Sequence, residues 1–260
     1  MTHSAANGER QRLAELVGAA DYSARAMQIL QRISNANAPD ELLAAFREAT
    51  LTLGADAGVF TSYIRDDATL ASYRTLLACD PAWSTEYARQ DWCADDPWLR
   101  HALHDTEPVR STELVLQSER ERAFVEAAAG LGFASAVIVA APSSQGPSRV
   151  GVLCLGSTTI GFFEDPGYET VRILARALAM ELHACMRRSI RRELMVRSRI
   201  TAEDIELLRH EAAGHSSKVI AAALNTEAKT IDCRFQRVSA KLDAPNRRAA
   251  VRVARLYGLL

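Results

Sequence analysis

The sequence predicts an α+β protein in two parts, an N-terminal α-β-α sandwich with an antiparallel sheet followed by a C-terminal all-α unit of four helices. Three observations carry that prediction. Between residues 10 and 186 the apolar spacing runs from helical to strand-like and back to helical, the pattern of helices flanking one sheet. Residues 200–260 hold four short helical stretches, several with start and stop signals of their own. Charge is also split: from Val196 onward 12 basic residues face 7 acidic ones, a net +5, which leaves −6 for residues 1–195 of a chain whose total is −1. Such asymmetry suggests a C-terminal unit that meets an anionic partner. At 260 residues the chain is long for one core and comfortable for two.

Taken in order, helical spacing extends from about Glu9 to Ile33 and from Pro39 to Leu53. The second stretch opens with proline at a first helical position, where its missing N–H costs nothing. A strand-like run at Ala57–Ile64 is followed by Thr69–Leu77, then by helical stretches at Pro81–Arg89, after Pro97 and at Glu119–Ala129. Ala134–Ala141 and Arg149–Leu155 are β-rich and joined by the turn-forming Pro142-Ser-Ser-Gln-Gly-Pro147, hence a hairpin. Pro166 to about Leu194 is helical, with an apolar stripe of Val171, Leu174, Leu178, Met180 and Leu182, before Arg187, Arg188, Arg191 and Arg192 turn it basic. The division expected is therefore a domain at 10–186, a linker at 187–199 and a second domain at 200–260.

Thr201-Ala-Glu-Asp204 has the form of a capping box, in which hydroxyl and carboxylate each satisfy a backbone N–H of the first turn. The helix it opens buries Ile205, Leu207, Leu208 and Ala212 and stops at Gly214. Ser216-Ser217 start a second short helix ending near Leu224. A third runs from about Glu227 to Leu242 with Ile231, Phe235, Val238 and Leu242 on its apolar side, and a fourth from Arg247 toward Tyr257. Two short helices and a turn, then a longer helix exposing Lys229, Thr230, Arg234 and Arg237, fit a helix-turn-helix with its recognition helix.

Over these sixty residues the chain resembles the LuxR family. The matching positions are Thr201, Glu206, Leu208, Gly214, Ile220, Ala221, Leu224, Thr230, Lys241, Leu242, Arg247, Ala250, Val251, Gly258 and Leu259. It departs from the pattern at Glu203-Asp204, at Val219, at Glu227 in place of a cap serine, at Asp232 where lysine is common, and at Arg234 in place of histidine. An acidic group facing phosphates would weaken the sequence-independent part of DNA binding. The resemblance implies DNA contacts from Lys229, Thr230, Arg234, Arg237 and Lys241, and a homodimer on a palindromic operator, because two recognition helices must reach half-sites about one DNA turn apart.

Trp83 and Tyr87 stand four apart on one helical face, and Asp96-Pro97 follows nine residues later. This resembles the Trp-x3-Tyr-x8-Asp-Pro pattern that carries the acyl-homoserine lactone site in LuxR-type regulators. The implied chemistry is an indole N–H from Trp83 to the lactone carbonyl, a phenol from Tyr87 to the acyl carbonyl, and the Asp96 carboxylate accepting the amide N–H. Asp96 before Pro97 is equally an N-cap with a first-turn proline, and Trp83 with Tyr87 equally an amphipathic core. Trp92 falls where the family tends to have another aromatic. Cys154 matches a pocket position that often carries a small hydroxyl, or is a buried structural thiol. Trp98 adds bulk beside the presumed ligand, Ser111 stands where the family has a tryptophan, and Ala136 where it has a glycine.

Other classes fall away. A hydrophobic content of 48% with 24% charge is not that of a disordered chain. Charged residues interrupt the first thirty positions and no run reaches the roughly 20 apolar residues of a membrane span, so neither signal peptide nor membrane is expected and the cytoplasm is. Cys79, Cys93, Cys154, Cys185 and Cys233 are odd in number and scattered, and His101 and His104 lack further ligands, so no disulfide framework, metal or cofactor is assigned. Without a nucleophile elbow, metal cluster or phosphate loop, an enzyme is not expected. The reading is a ligand-responsive transcriptional regulator of quorum-sensing type for an N-acyl-homoserine lactone or analogue. The alternative is a ligand-independent or signal-divergent relative that acts by pairing with another regulator.

Overall fold

The structure, a computed structural model, describes residues 12–65 and 71–260. The chain divides into two compact units, one formed by residues up to 62, 74–142 and 150–182, the other by 63–73, 143–149 and 183–260.

In the first unit, α1 (Leu13–Val17), α2 (Tyr22–Asn35) and α3 (Pro39–Thr52) precede β1 (Ala57–Arg65) and β2 (Ala71–Ala78). Next come α4 (Ala82–Arg89), α5 (Pro97–His104), the short β3 (Val109–Arg110), α6 (Glu119–Ala128), β4 (Ser135–Pro142), β5 (Arg149–Ser157), whose first residue falls in the second unit, and α7 (Tyr168–Arg197), which passes into the second unit at His183. The five strands make one sheet in the order β2-β1-β5-β4-β3, with β3, β4 and β5 antiparallel. The expected hairpin is the β4–β5 pair, in register Ala136 to Gly156 and Ile138 to Cys154. β5 is buried along its whole length and β4 at every position but its last, so both faces of the sheet's centre are covered, as in a sandwich of helices around it. α5 packs on β4, and α2 on α3.

Two expectations are corrected. The helix expected from Glu9 to Ile33 is two helices, because the Gly18 N–H closes α1 onto the Ala14 carbonyl and the chain turns before Tyr22; residues before 12 lie outside the described residues. Leu13 and Tyr22 are both fully buried, so the apolar spacing survives the break. In α7, Val171, Leu178 and Leu182 are fully buried but Met180 is 44% exposed, since two residues beyond Leu178 is about 200° round the helix. The two-residue β3 had no signal in the sequence. Of Thr69–Leu77, the first two residues lie outside the described residues and the rest falls in β2.

The second unit holds the end of α7 and four further helices, α8 (Ala202–Ala212), α9 (Ser217–Ala223), α10 (Ala228–Lys241) and α11 (Arg247–Leu256). Three of the four starts are set by a side-chain cap. Thr201 Oγ1 accepts the Asp204 N–H at 3.2 Å while the Asp204 carboxylate accepts the Thr201 N–H at 2.9 Å, and Ser216 and Asn246 cap α9 and α11. Glu227, at the N-cap of α10, makes no side-chain cap bond. One core joins the four helices through Leu208, Ile220, Ile231, Val238, Ala250 and Ala254, all fully buried.

Candidate functional site

Asp96 does two things at once. As the N-cap of α5, with Pro97 at the first helical position, its Oδ1 accepts the N–H groups of Trp98 at 2.8 Å and Leu99 at 3.0 Å. Its Oδ2 accepts the Tyr87 phenol at 2.8 Å, which ties α4 to α5. Burial pushes the carboxyl up to about 6, against the bonds from Leu99, Tyr87 and Trp98 that pull the other way. The cap reading and the convergence with Tyr87 therefore hold together.

Around this pair the chain assembles an aromatic cluster. Trp83 and Trp98 stack at 5.7 Å between ring centroids and 8° between planes, Phe133 lies 4.7 Å from Trp83, and Phe124 stands edge-on to Trp83, Tyr87, Trp92 and Trp98. Trp98 is 1% exposed, and its indole N–H meets no acceptor among the described residues. Between α4 and α6 a cavity of about 10 Å³ is lined by Trp83, Tyr87, Trp92, Phe124 and Leu131, room for one water. Phe124 and Phe133 were not singled out in the sequence. Gly156 is what admits Phe133, since a Cβ there would fall 2.6 Å from the Gly132 carbonyl oxygen and overlap the Phe133 ring.

Cys154 is buried on β5, its thiol held well above the usual range by that burial, with Asp96 and Cys79 adding to the effect. Burial likewise raises Cys79, to about 12, and Cys93, the latter also beside Asp96 and bonded to Tyr87. Cys154 and Cys93, far apart in sequence, thus meet as neutral thiols at one carboxylate, and Cys79 lies near Cys154. The two departures Ser111 and Ala136 also meet, the Ala136 N–H donating to Ser111 Oγ at 3.3 Å. Arg100 clamps α5 to α6 through both oxygens of Glu121, at 2.7 and 3.0 Å, and Arg120 lies 4.8 Å over the Trp92 ring.

On α10, Lys229 and Arg237 are exposed, and Thr230 and Arg234 half-buried. Lys241 stands apart from these four, because its Nζ is 2.5 Å from Asp204 Oδ2 and it locks the end of α10 to the start of α8. Asp232 accepts from Ser217 Oγ at 2.7 Å, and Arg247 donates to the same hydroxyl at 3.2 Å while pairing with Glu211. Its charge is thereby drawn into the α9–α11 network.

Residues 38–186 match the autoinducer binding domain, and residues 189–254 match the bacterial regulatory proteins of the luxR family. The chain belongs to the LuxR family. This LuxR-family chain is 21% identical over 243 residues to the HTH-type quorum sensing-dependent transcriptional regulator RpaR of Rhodopseudomonas palustris, covering 92% of the one and 96% of the other. In fold it is similar to Escherichia coli SdiA, with a TM-score of 0.69, 18% identity and coverage of 92% and 99%. It is also similar to SdiA in complex with octanoyl-rac-glycerol, with a TM-score of 0.64, 15% identity and coverage of 92% and 96%. A third likeness, to the N-acylhomoserine lactone dependent LuxR family factor CepR2 of Burkholderia cenocepacia, has a TM-score of 0.54 at 16% identity, over 64% of this chain and 99% of that one. The LuxR-family chain is thus a DNA-binding transcriptional regulator of quorum-sensing type that takes a small-molecule signal, and not an enzyme. No helix among the described residues is long and apolar enough to cross a membrane.

Proposed function

We propose that this regulator responds to an N-acyl-homoserine lactone or analogue bound at Trp83, Tyr87, Asp96, Trp98 and Cys154. The observation that carries the reading is the convergence of Trp83, Tyr87 and Asp96, at the family's spacing, inside a buried aromatic cluster. The ligand-bound SdiA and the lactone-dependent CepR2 support an acyl-chain signal of this kind. Residues 10–186 form the sensing and dimerising part, 187–199 the connector and 200–260 the DNA-binding part, in a protein that works in the cytoplasm.

The DNA partner in this reading is a palindromic operator contacted through Lys229, Thr230, Arg234 and Arg237, with Lys241 acting through the backbone geometry it fixes. Homodimerisation is supported by α7, where Ile173, Ala177 and Met180 leave an exposed apolar stripe at i, i+4 and i+7. A thermal melt of the full chain with lactones of graded acyl length tests the signal. At least one should raise the midpoint, because a ligand that binds the folded state alone stabilises it by mass action. No shift with any chain length would overturn the lactone reading.

One observation favours the second reading, that of a signal-divergent regulator pairing with a relative. Tyr87 is spent on Asp96 and Trp83 is stacked on Trp98, so the site is held together by its own groups. Electrophoretic mobility shift of operator DNA by ligand-free protein separates the two, since the second reading expects binding or partner exchange without lactone.

A further inference from the structure

A buried cation in the second unit lacks the partner that its chemistry requires. Arg149, the first residue of β5, is 1% exposed. A guanidinium stays charged, and its burial is tolerable only when its N–H groups are satisfied. One terminal nitrogen, Nη1, donates to the Leu256 carbonyl at the end of α11, where a helix leaves its last carbonyls free and welcomes a cation. Nε and Nη2 have no partner among the described residues. These two nitrogens share one edge of the guanidinium plane, and that edge presents two parallel N–H groups, the arrangement that receives two oxygens of one carboxylate, sulfate or phosphate.

The surroundings are basic as well. His183 on α7 is 4% exposed, and both of its ring nitrogens lack a partner among the described residues. Arg187, four residues along the same face of α7, lays its side chain against Gly258, its Cγ 3.5 Å from where a Cβ would stand. Groups from β5 and α7 therefore close on the backbone between Leu256 and Gly258, and no carboxylate among the described residues pairs with Arg149. Burial lowers Arg149 to about 10, with Arg187 adding to the effect and Tyr257 opposing it. His183 is lowered to about 4 by burial and by the charges of Arg149 and Arg187. In both groups burial is the larger cause, and the neighbouring positive charges add to it.

We propose that the Nε–Nη2 edge of Arg149, with His183 beside it, is a buried binding site for a small oxyanion that offers two adjacent oxygens. It is separate in residues and in role from the Trp83–Asp96 cluster, and stands whether or not that cluster binds a lactone. Bound there, the anion would brace the start of β5, α7 and the end of α11.

The test is thermal melting of the full-length chain in sulfate, inorganic phosphate or acetate, with chloride making up a constant ionic strength. The midpoint should rise by several degrees with the logarithm of oxyanion concentration; sulfate and phosphate acting without acetate mark a tetrahedral ligand, and all three mark any two-oxygen acceptor. Arg149→Met should abolish the response, and if that variant does not fold, Arg149→Lys should weaken the apparent affinity about tenfold, because an ammonium has no fork. His183→Leu should weaken it several-fold. Arg237→Ala should leave it intact. Equal midpoints in all salts, a response unchanged in the Arg149 variants, or one lost in Arg237→Ala and so belonging to the DNA-binding surface, would each overturn the proposal.

Discussion

The Tyr87 phenol donates to Asp96 Oδ2 at 2.8 Å across the junction of α4 and α5, on the carboxylate oxygen that the helix cap leaves over. Capping and tethering are thus divided between the two oxygens of one group. Tyr87→Phe removes the tether alone. We expect a loss of about 1.5–3 kcal/mol, the range for hydrogen bonds to charged groups, read as a fall in denaturation midpoint. A loss below a few tenths would mean that the bond contributes nothing.

Asp96 also gives stability a pH dependence of known sign. Its folded value of about 6 lies above the ordinary 3.8, so the folded state holds the proton more tightly. That contribution is fully present below about 3.8 and is lost as pH rises through 6, at most about 3 kcal/mol in all. Asp96→Asn keeps a cap oxygen and has no proton to exchange. The wild-type advantage over this variant should therefore grow as pH falls from 7 to 4, which urea melts at several pH values would detect. An advantage that stayed constant would contradict the raised value.

Glu227 sits at a helix start without closing it. Glu227→Ser supplies the missing cap to α10 and should stabilise the DNA-binding helices by about 1 kcal/mol. Removing an acid from beside the recognition helix should strengthen binding to arbitrary DNA as well. Calorimetry and a filter-binding titration measure the two effects separately.

Lys241 and Arg237 should behave differently although both are basic and on α10. Lys241→Ala leaves the part-buried Asp204 carboxylate unpaired and should cost about 1–3 kcal/mol of stability. Arg237→Ala should cost little stability, weaken DNA binding across sequences and reduce the salt slope by about 1. If Lys241→Ala left stability unchanged and lowered the salt slope instead, its place would be on the phosphates.

What the sequence made legible was local. Asp96-Pro97, Thr201 with Asp204 and Ser216 each fix a helix start through contacts within three residues, and each start stands where the spacing put it. The rest depended on distant partners. Nothing in the sequence around Lys241 announces its ion-pair partner Asp204, 37 residues away. Phe133, just before β4, reaches the aromatic cluster because Gly156 on β5 makes room. Met180 reads as buried from its apolar character, but its angle on the helix, about 200° from Leu178, turns it outward. Cys93 and Cys154 beside Asp96 follow from strand and helix placement, which leaves no mark on their spacing.

Asp204 Oδ2 accepts both the Thr201 N–H that opens α8 and the Lys241 ammonium at the far end of α10. α10 is about 21 Å long, held at its C-terminal end by Lys241 on Asp204 and nearer its N-terminal end by the buried Ile231 and by Asp232 on Ser217. A tilt of about 10° about the Lys241 end, which those contacts resist, would carry the other end roughly 3–4 Å, about one base step along DNA. With α10 as the reading helix proposed above, its aim depends in part on a carboxylate at the start of another helix.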